Sequence, residues 1–335
     1  MFENEENMVR FGIAGFGLHA VKRLMPGFAL AQRARVTALS RRDLRQAEAS
    51  ARQFQVPHAF ASTSDLCASP EVDAVFVATP DALHLADVVE AVRHGKPVLC
   101  EKPMARTYDE ARAMVQTARA AGVLLGVAHV MRFEESVRYI RDRIASGAVG
   151  RPVMARCDFF APMLSSPRAW VNDPTLATGG PLADIGVHCI DTLRFVLGSE
   201  VSAVSAHAAH DSHSPLEATA TAGLQFVDGL LATVSVSARS PYQTFLEVTG
   251  DEATISALNA LTVDYPVTIE LRRGRDALES REVSNANAYG LQVDAFATAV
   301  EERRDFEIPG EEGLQNQAIL DAAYRSVKSG RVESV

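Results

Sequence analysis

No C-x-x-C pair joins the four cysteines of this 335-residue chain; Cys67, Cys100, Cys157 and Cys189 are scattered. Their spacing supports neither a disulfide framework nor a structural zinc site, and it points to a reducing compartment. No stretch approaches the roughly 18 to 20 apolar residues that a membrane-crossing helix needs. Positive charge is in deficit, 33 Lys and Arg against 42 Asp and Glu, for a formal net charge of -9. A nucleic-acid surface is therefore not expected. Internal repeats and low-complexity linkers are absent. The opening "MFENEENMVR" is acidic and polar, unlike a secretory or transit peptide, so a cytoplasmic location is expected. The regular pattern begins at Val9, which leaves Met8 as an alternative start.

Hydrophobic residues make up 47% and charged residues 22% of the chain, the balance of a globular protein with substantial cores. Its length suits about two domains. The first third alternates apolar runs with helical patterns. "VRFGIAG", "RVTALS", "VDAVFVAT", "PVLCE" and "VLLGVAH" read as strands. The helices between them include one capped by Asp81 and one running from a Thr107–Glu110 capping box to Gly122. Near-continuous apolar strands separated by helices imply a parallel sheet covered on both faces, which binds ligands at the carboxyl ends of its strands. Beyond residue 130 come helical "EESVRYIRDRIASG", a strand in "GRPVMARCDFF", a long loop and the helical "ADIGVHCIDTLRFVLG". Strands then follow closely from Val201 to about Arg273, with a turn at Val227-Asp228-Gly229 and the pattern of an antiparallel sheet. The expected fold is α/β. An N-terminal Rossmann domain with a doubly wound parallel sheet occupies residues 1–128. A C-terminal α+β domain with a large, open, mainly antiparallel sheet occupies 129–335, and its last helix is a candidate to pack back on the first domain.

Three stretches carry chemistry. "GIAGFGLHA" places Gly15, Gly17 and Ala20 in G-x-G-x-x-A form between a strand and a helix, where glycines let backbone approach a pyrophosphate at the helix N-terminus. Its competing reading is a packing turn. NAD sites usually place Asp or Glu about 20 residues further on, against the ribose 2′-OH. Here Ser40, Arg41 and Arg42 stand there, a set that suits a 2′-phosphate and favours NADP(H) over NAD(H). Asp43 is close enough to compete if the strand ends later, and a solvated helix start is the other reading. In "GGPLADIGVHCID", Asp184, His188 and Asp191 share one face of a continuous helix. A carboxylate beside an imidazole equips it for proton transfer. A core histidine and a metal site are the rivals, the latter lacking a third strong ligand. The third stretch, "VLCEKPMA", sets Glu101, Lys102 and Pro103 at the carboxyl end of the fourth strand.

Together these stretches resemble the glucose–fructose oxidoreductase/inositol dehydrogenase (Gfo/Idh/MocA) family of NAD(P)-dependent dehydrogenases. The resemblance spans "GIAGFGLHA", "VATPDALHLADVVEAVRHGKPVLCEKPMA", "GGPLADIGVHCIDTLRFVLG" and "EEGLQNQAILDAAYRSVKSG", nearly the whole chain. It implies that Lys102, Asp184 and His188 are catalytic. His188 would be the acid/base, Lys102 the stabiliser of charge on the reacting oxygen, and Asp184 the residue that positions the substrate or its neighbours. It further implies that Glu101 approaches the nicotinamide ribose, that Lys102 also lies against the nicotinamide, and that Pro103, as a cis residue, directs the lysine. Phe16, Leu18, Thr79, Pro80 and His84 are expected at the cofactor together with the glycines, Ser40 and the two arginines. Arg132, Arg168, Trp170 and Tyr289 are expected at the substrate; for Arg168 and Trp170 the alternative is domain-interface packing.

Some positions depart from the family pattern. Asp81 stands where Asn is common and Pro181 where a third glycine is common, and the neighbours of Arg132 differ. "HAAHDSH", with His207, His210 and His213, is read as a polar loop rather than a metal site, and Cys100 as an inert buried thiol. The expected activity is NADP(H)-dependent hydride transfer to or from a secondary alcohol or carbonyl of a sugar, polyol or related cyclic compound. No metal is expected. A homodimer or homotetramer formed through the C-terminal sheet is. The rivals are a glycosidase that oxidises its substrate transiently through a tightly held dinucleotide, and a cofactor-binding regulator without turnover.

Overall fold

The computed structural model describes residues 8–212 and 214–335. The chain forms two compact units that divide after Ala128, and Tyr289–Gln315 belongs to the first while Asn316–Val335 returns to the second. The sequence reading assigned 129–335 to the second domain, with its last helix a candidate to pack back on the first. The return of Tyr289–Gln315 has a packing cause: Phe296 lies 6.1 Å from the ring of Phe11 and 5.2 Å from Phe306, inside the first core.

In the first unit the elements are β1 (Val9–Ala14), a π turn (Ala20–Leu24) leading into α1 (Met25–Leu30), β2 (Ala34–Ser40), α2 (Leu44–Phe54), β3 (His58–Phe60), α3 (Thr63–Ala68), β4 (Ala74–Val77), α4 (His84–Arg93), β5 (Val98–Cys100), α5 (Tyr108–Ala121) and β6 (Leu125–Val127). The strands pair in parallel in the order β3-β2-β1-β4-β5-β6, reversing direction of growth at β1, as in a doubly wound dinucleotide fold. All four residues of β4 are buried, as expected of a strand covered on both faces. Gly126 on β6 leaves room for aromatic rings: a Cβ there would come within 2.6 Å of Phe306 and 3.0 Å of Phe296. The π turn runs into α1, whose second residue, Pro26, has no N–H to add to the helical ladder. Two short elements escaped the sequence reading, β3 and α3, because three and six residues are too few to show a period. Asp81 also differs from expectation; it begins a 3-10 turn, Asp81–Leu83, and α4 itself starts at His84.

The second unit holds α6 (Glu135–Ala145), β7 (Pro152–Phe160), α7 (Pro181–Asp184), α8 (Gly186–Leu197), β8 (Val201–His210), β9 (Glu217–Phe226), β10 (Leu231–Ser237), β11 (Gln243–Gly250), β12 (Thr254–Leu258), β13 (Pro266–Arg273), β14 (Asp276–Ser284) and the short β15 (Glu333–Ser334). The last helices are α9 (Ala288–Glu302) and α10 (Gly310–Ser329). Nine strands pair in the order β14-β13-β12-β11-β7-β10-β9-β8-β15, antiparallel except for β7 with β10. Along β10, Ala232, Val234 and Val236 are buried while Leu231 and Thr233 are exposed, so one sheet face is covered and the other open. The buried helix α8 packs against β7 and β10. The sequence reading ended the strands near Arg273, but Gly274, at φ +59°, turns the chain into one more, β14. His207 and His210 are exposed residues of β8 and not of a loop; His213 lies outside the described residues.

Candidate active site

The dinucleotide turn follows β1. Gly15 has φ +83°, and a Cβ on it would lie 2.7 Å from the backbone of Thr79, so this position admits only glycine. Gly17 is different. It is exposed, and a Cβ there would meet nothing closer than the Gly15 carbonyl oxygen at 3.8 Å. Packing does not demand a glycine at 17, and the bare backbone there leaves room for close approach by a phosphate. That open backbone, placed where a helix begins, fits a dinucleotide pyrophosphate. Phe16 is buried and its ring packs 5.4 Å from Phe54, which leaves its backbone, not its side chain, facing the turn. Its N–H donates to the Ser40 carbonyl at 2.9 Å, tying the glycine turn to the end of β2.

Ser40 itself is buried, Arg41 donates to Ser50 Oγ at 2.9 Å, and Arg42 is exposed. Asp43 accepts from the N–H groups of Arg45 and Gln46 as the N-cap of α2. The only carboxylate near this strand end in sequence is thus engaged in a helix cap, and the arginines are left as the charged groups able to meet a ribose substituent.

At the ends of β4 and β5, Thr79 donates its hydroxyl to Asp87 at 2.7 Å. His84 is buried, with Nδ1 3.1 Å from the Pro103 carbonyl and Nε2 2.9 Å from that of Thr79. Burial works against a charged ring there, but Cys100, Asp81 and the Thr79 carbonyl raise it to about 10. His84 therefore joins the two loops that follow β4 and β5, Pro80 lying in the first of them. The Lys102–Pro103 bond is cis. Glu101 accepts from the Lys102 N–H at 3.1 Å and faces His19 Nε2 at 2.8 Å. Burial pushes its carboxyl up, yet His19 and Lys102 outweigh that and hold it at about 2, so it is ionised at neutral pH. His19 was missed in the sequence; its ring also stands 6.1 Å from that of Tyr289. The available signal was its place inside the glycine turn. Tyr289 packs over Gly27, where a Cβ would be only 2.5 Å from its own.

In the second unit the expected continuous helix is broken at Ile185 into α7 and α8, and the three residues placed on one face part company. Asp184, on α7, pairs with Arg168 at 3.1 Å, whose guanidinium lies 5.8 Å from the ring of Trp170. His188 is 7% exposed on α8, with its ring 6.0 Å from that of Phe159. Asp191 turns instead to a buried polar cluster. It accepts from Arg132 through two nitrogens, at 2.6 and 2.9 Å, and from Asn316 at 2.8 Å, and His129 is 3.7 Å away. Asn316 also bonds His129 and Arg194. Burial opposes the charge on Asp191, but His129 and Arg132 hold its pKa well below the usual carboxylate range. Arg132 was expected at the substrate; only 7% exposed and held by Asp191, it has the setting of a support for α8. Glu134 nearby is fully buried, and desolvation alone raises its pKa well above the ordinary value.

The chain is similar to known proteins over most of its length. A profile described as "Oxidoreductase family, NAD-binding Rossmann fold" matches residues 9–129, and one described as "GFO/IDH/MocA C-terminal domain" matches 137–256. The chain is 34% identical to the 1,5-anhydro-D-fructose reductase of Ensifer adhaerens over 82% of this chain and 83% of the relative. It is 28% identical to a D-xylose 1-dehydrogenase (NADP(+)) of Haloferax volcanii over 96% and 98%. Among solved structures, the aldose-aldose oxidoreductase of Caulobacter crescentus, complexed with glycerol, superposes with a TM-score of 0.90 at 25% identity, covering 98% of this chain and 100% of that one. With a Rossmann turn open to a pyrophosphate, an E-K-P segment at the end of β5 and an Asp-x-x-x-His stretch on α7 and α8, this chain belongs to the GFO/IDH/MocA family of oxidoreductases.

Proposed function

We propose that the protein transfers a hydride between NADP(H) and a secondary alcohol or carbonyl of a sugar or polyol, with Lys102, Asp184 and His188 as its catalytic residues. The observation that carries this reading is the open Gly17 backbone together with the His19–Glu101 contact that ties the glycine turn to Lys102 at the end of β5. The bound cofactor supplies the hydride acceptor or donor. The chain manages the rest. As an alcohol becomes a carbonyl, His188 takes the hydroxyl proton, and the Lys102 ammonium stabilises the negative charge that develops on oxygen. In reduction the same proton returns from His188. Asp184 orients the substrate, with Arg168 and Trp170 offering a fork of donors and an aromatic face.

Sugar specificity is supported by the relatives, whose names cite anhydrofructose and xylose. The preference for NADP rests on Arg41 and Arg42 at the end of β2 and on the use of Asp43 as a helix cap. The open face of the second unit's sheet carries Met154, 54% exposed, and Leu231, 51% exposed, and suits pairing with a second copy. No helix among the described residues is long and apolar enough to cross a membrane, and the four buried thiols suit a reducing, cytoplasmic compartment.

The direct test is to strip and titrate the protein with NADPH and with NADH, then to follow nicotinamide absorbance against a panel of aldoses, ketoses and polyols. Tighter NADPH binding and turnover of a panel member support the reading. Cofactor that resists removal, with glycoside cleavage and no net redox change, overturns it.

A further inference from the structure

The turn that presents Asp184 is fastened from outside itself. Helix α7 is a single turn, and its N-cap residue, Gly180, has no side chain to cap it. The carboxylate of Glu217, the first residue of β9, takes that role from 37 residues away in sequence: Oε2 accepts from Gly180 N–H at 2.9 Å and Oε1 from Leu182 N–H at 3.1 Å. Pro181, between them, has no N–H to satisfy. Ala183 and Asp184 both donate to the Gly180 carbonyl, at 3.1 and 3.0 Å, and Ile185 donates to Pro181. Every backbone donor from Gly180 to Ile185 is thereby accounted for, and two of them depend on Glu217.

Tyr324, on α10, completes the clamp by donating its hydroxyl to Glu217 Oε1 at 2.9 Å. The two glycines exist to admit these partners. A Cβ on Gly179 would lie 1.9 Å from the Tyr324 oxygen, and one on Gly180 would lie 2.0 Å from the Glu217 carbonyl oxygen. Glu217 is only 5% exposed, and a buried carboxylate is tolerated when several donors meet it. A negative charge at a helix start is also favourable.

We infer that Glu217 is a positioning residue for the reaction, holding Asp184 in register through the backbone of Gly180. The path is short: the Glu217 carboxylate fixes the Gly180 N–H, and the carbonyl of Gly180 receives the N–H of Asp184. Tyr324 keeps the carboxylate in that orientation. The inference rests on the proposed dehydrogenase reading, in which Asp184 meets the substrate.

The test uses three variants of the full-length protein on whichever sugar or polyol the wild type turns over. Glu217→Gln keeps the shape but turns an amide N–H₂ toward one of the two backbone donors. Glu217→Asp keeps the charge and retracts it by one methylene. Tyr324→Phe removes one hydroxyl and leaves both backbone contacts. In Glu217→Gln, kcat should fall by about tenfold to a hundredfold, the upper figure being the scale of a reacting group displaced by about 1 Å. The cofactor Kd should remain within about twofold, since the glycine turn lies in the other unit. Glu217→Asp should fall between Gln and wild type, and Tyr324→Phe should lose the least.

Wild-type kcat in Glu217→Gln would overturn the inference. So would equal loss of turnover and NADPH binding, which would mark general unfolding. A wild type that binds NADPH and turns over no sugar or polyol would remove the functional reading, and this inference with it. Turnover by the wild type that is unchanged in all three variants would remove only the inference.

Discussion

His19 Nε2 lies 2.8 Å from Oε1 of Glu101, a contact that joins the glycine turn after β1 to the E-K-P segment after β5. It holds a buried carboxylate ionised between the glycine turn and Lys102 in the first unit. The pKa of Glu101 falls from its ordinary 4.5 to about 2 on folding, so this group stabilises the fold by about 3 kcal/mol at neutral pH. Because the folded value is the lower one, that contribution is complete above pH 4.5 and is lost as pH falls toward 2. Urea unfolding of wild type and Glu101→Gln at stepped pH should show a stability gap that closes across this window. A gap independent of pH would contradict the assignment.

Arg41→Ala combined with Arg42→Ala should weaken NADPH at least tenfold, about 1.5 kcal/mol or more for lost charged hydrogen bonds, and leave NADH nearly unchanged. Isothermal titration with each cofactor decides it; equal losses would show that the arginines do not read the 2′-phosphate. Asp43→Ala is the companion measurement. It should cost about 1 kcal/mol of stability through the lost cap and leave the cofactor preference where it was.

Lys102→Ala and His188→Ala should each reduce turnover by about a hundredfold or more, consistent with loss of charge stabilisation or of acid–base transfer. His188→Ala should bind NADPH as the wild type does. Steady-state rates paired with cofactor titration separate the two effects, and near-wild-type rates in either variant would remove that residue from the chemistry.

Asp191→Ala leaves the Arg132 guanidinium and the His129–Asn316 pair buried without their shared carboxylate. Breaking a buried ion pair in this way costs about 3–5 kcal/mol. Thermal or urea unfolding should report a loss of that size; a loss below about 1 kcal/mol would mean that solvent reaches the cluster.

If copies pair through the open sheet, Leu231→Glu should shift the protein to a smaller species in light scattering, with its melting temperature lowered only slightly. An unchanged mass would place the contact elsewhere or show that the protein is monomeric.

Much of the architecture was legible in the chain. Helix α2 falls on Leu44–Phe54, the segment its pattern marks, because its cap residue and apolar period are local properties. The glycine turn, the E-K-P segment and the Asp-x-x-x-His stretch were legible for a similar reason: each is written in nearby residues. Strand β3 was not, being too short to carry a period. The fate of the carboxylates was not legible either. Asp43 became a cap, Asp184 met Arg168, and Asp191 met Arg132 and Asn316.

Local pattern by itself thus determined the two kinds of sheet, the limits of helices such as α2 and α5, and the family. Tertiary structure alone decided that Tyr289–Gln315 returns to the first unit, that Ile185 breaks the helix bearing Asp184 and His188, and that Glu217 and Tyr324 clamp its start. The physical reason is range. Periodicity and caps act over a few residues, whereas a buried charge takes whatever donors the folded chain brings to it.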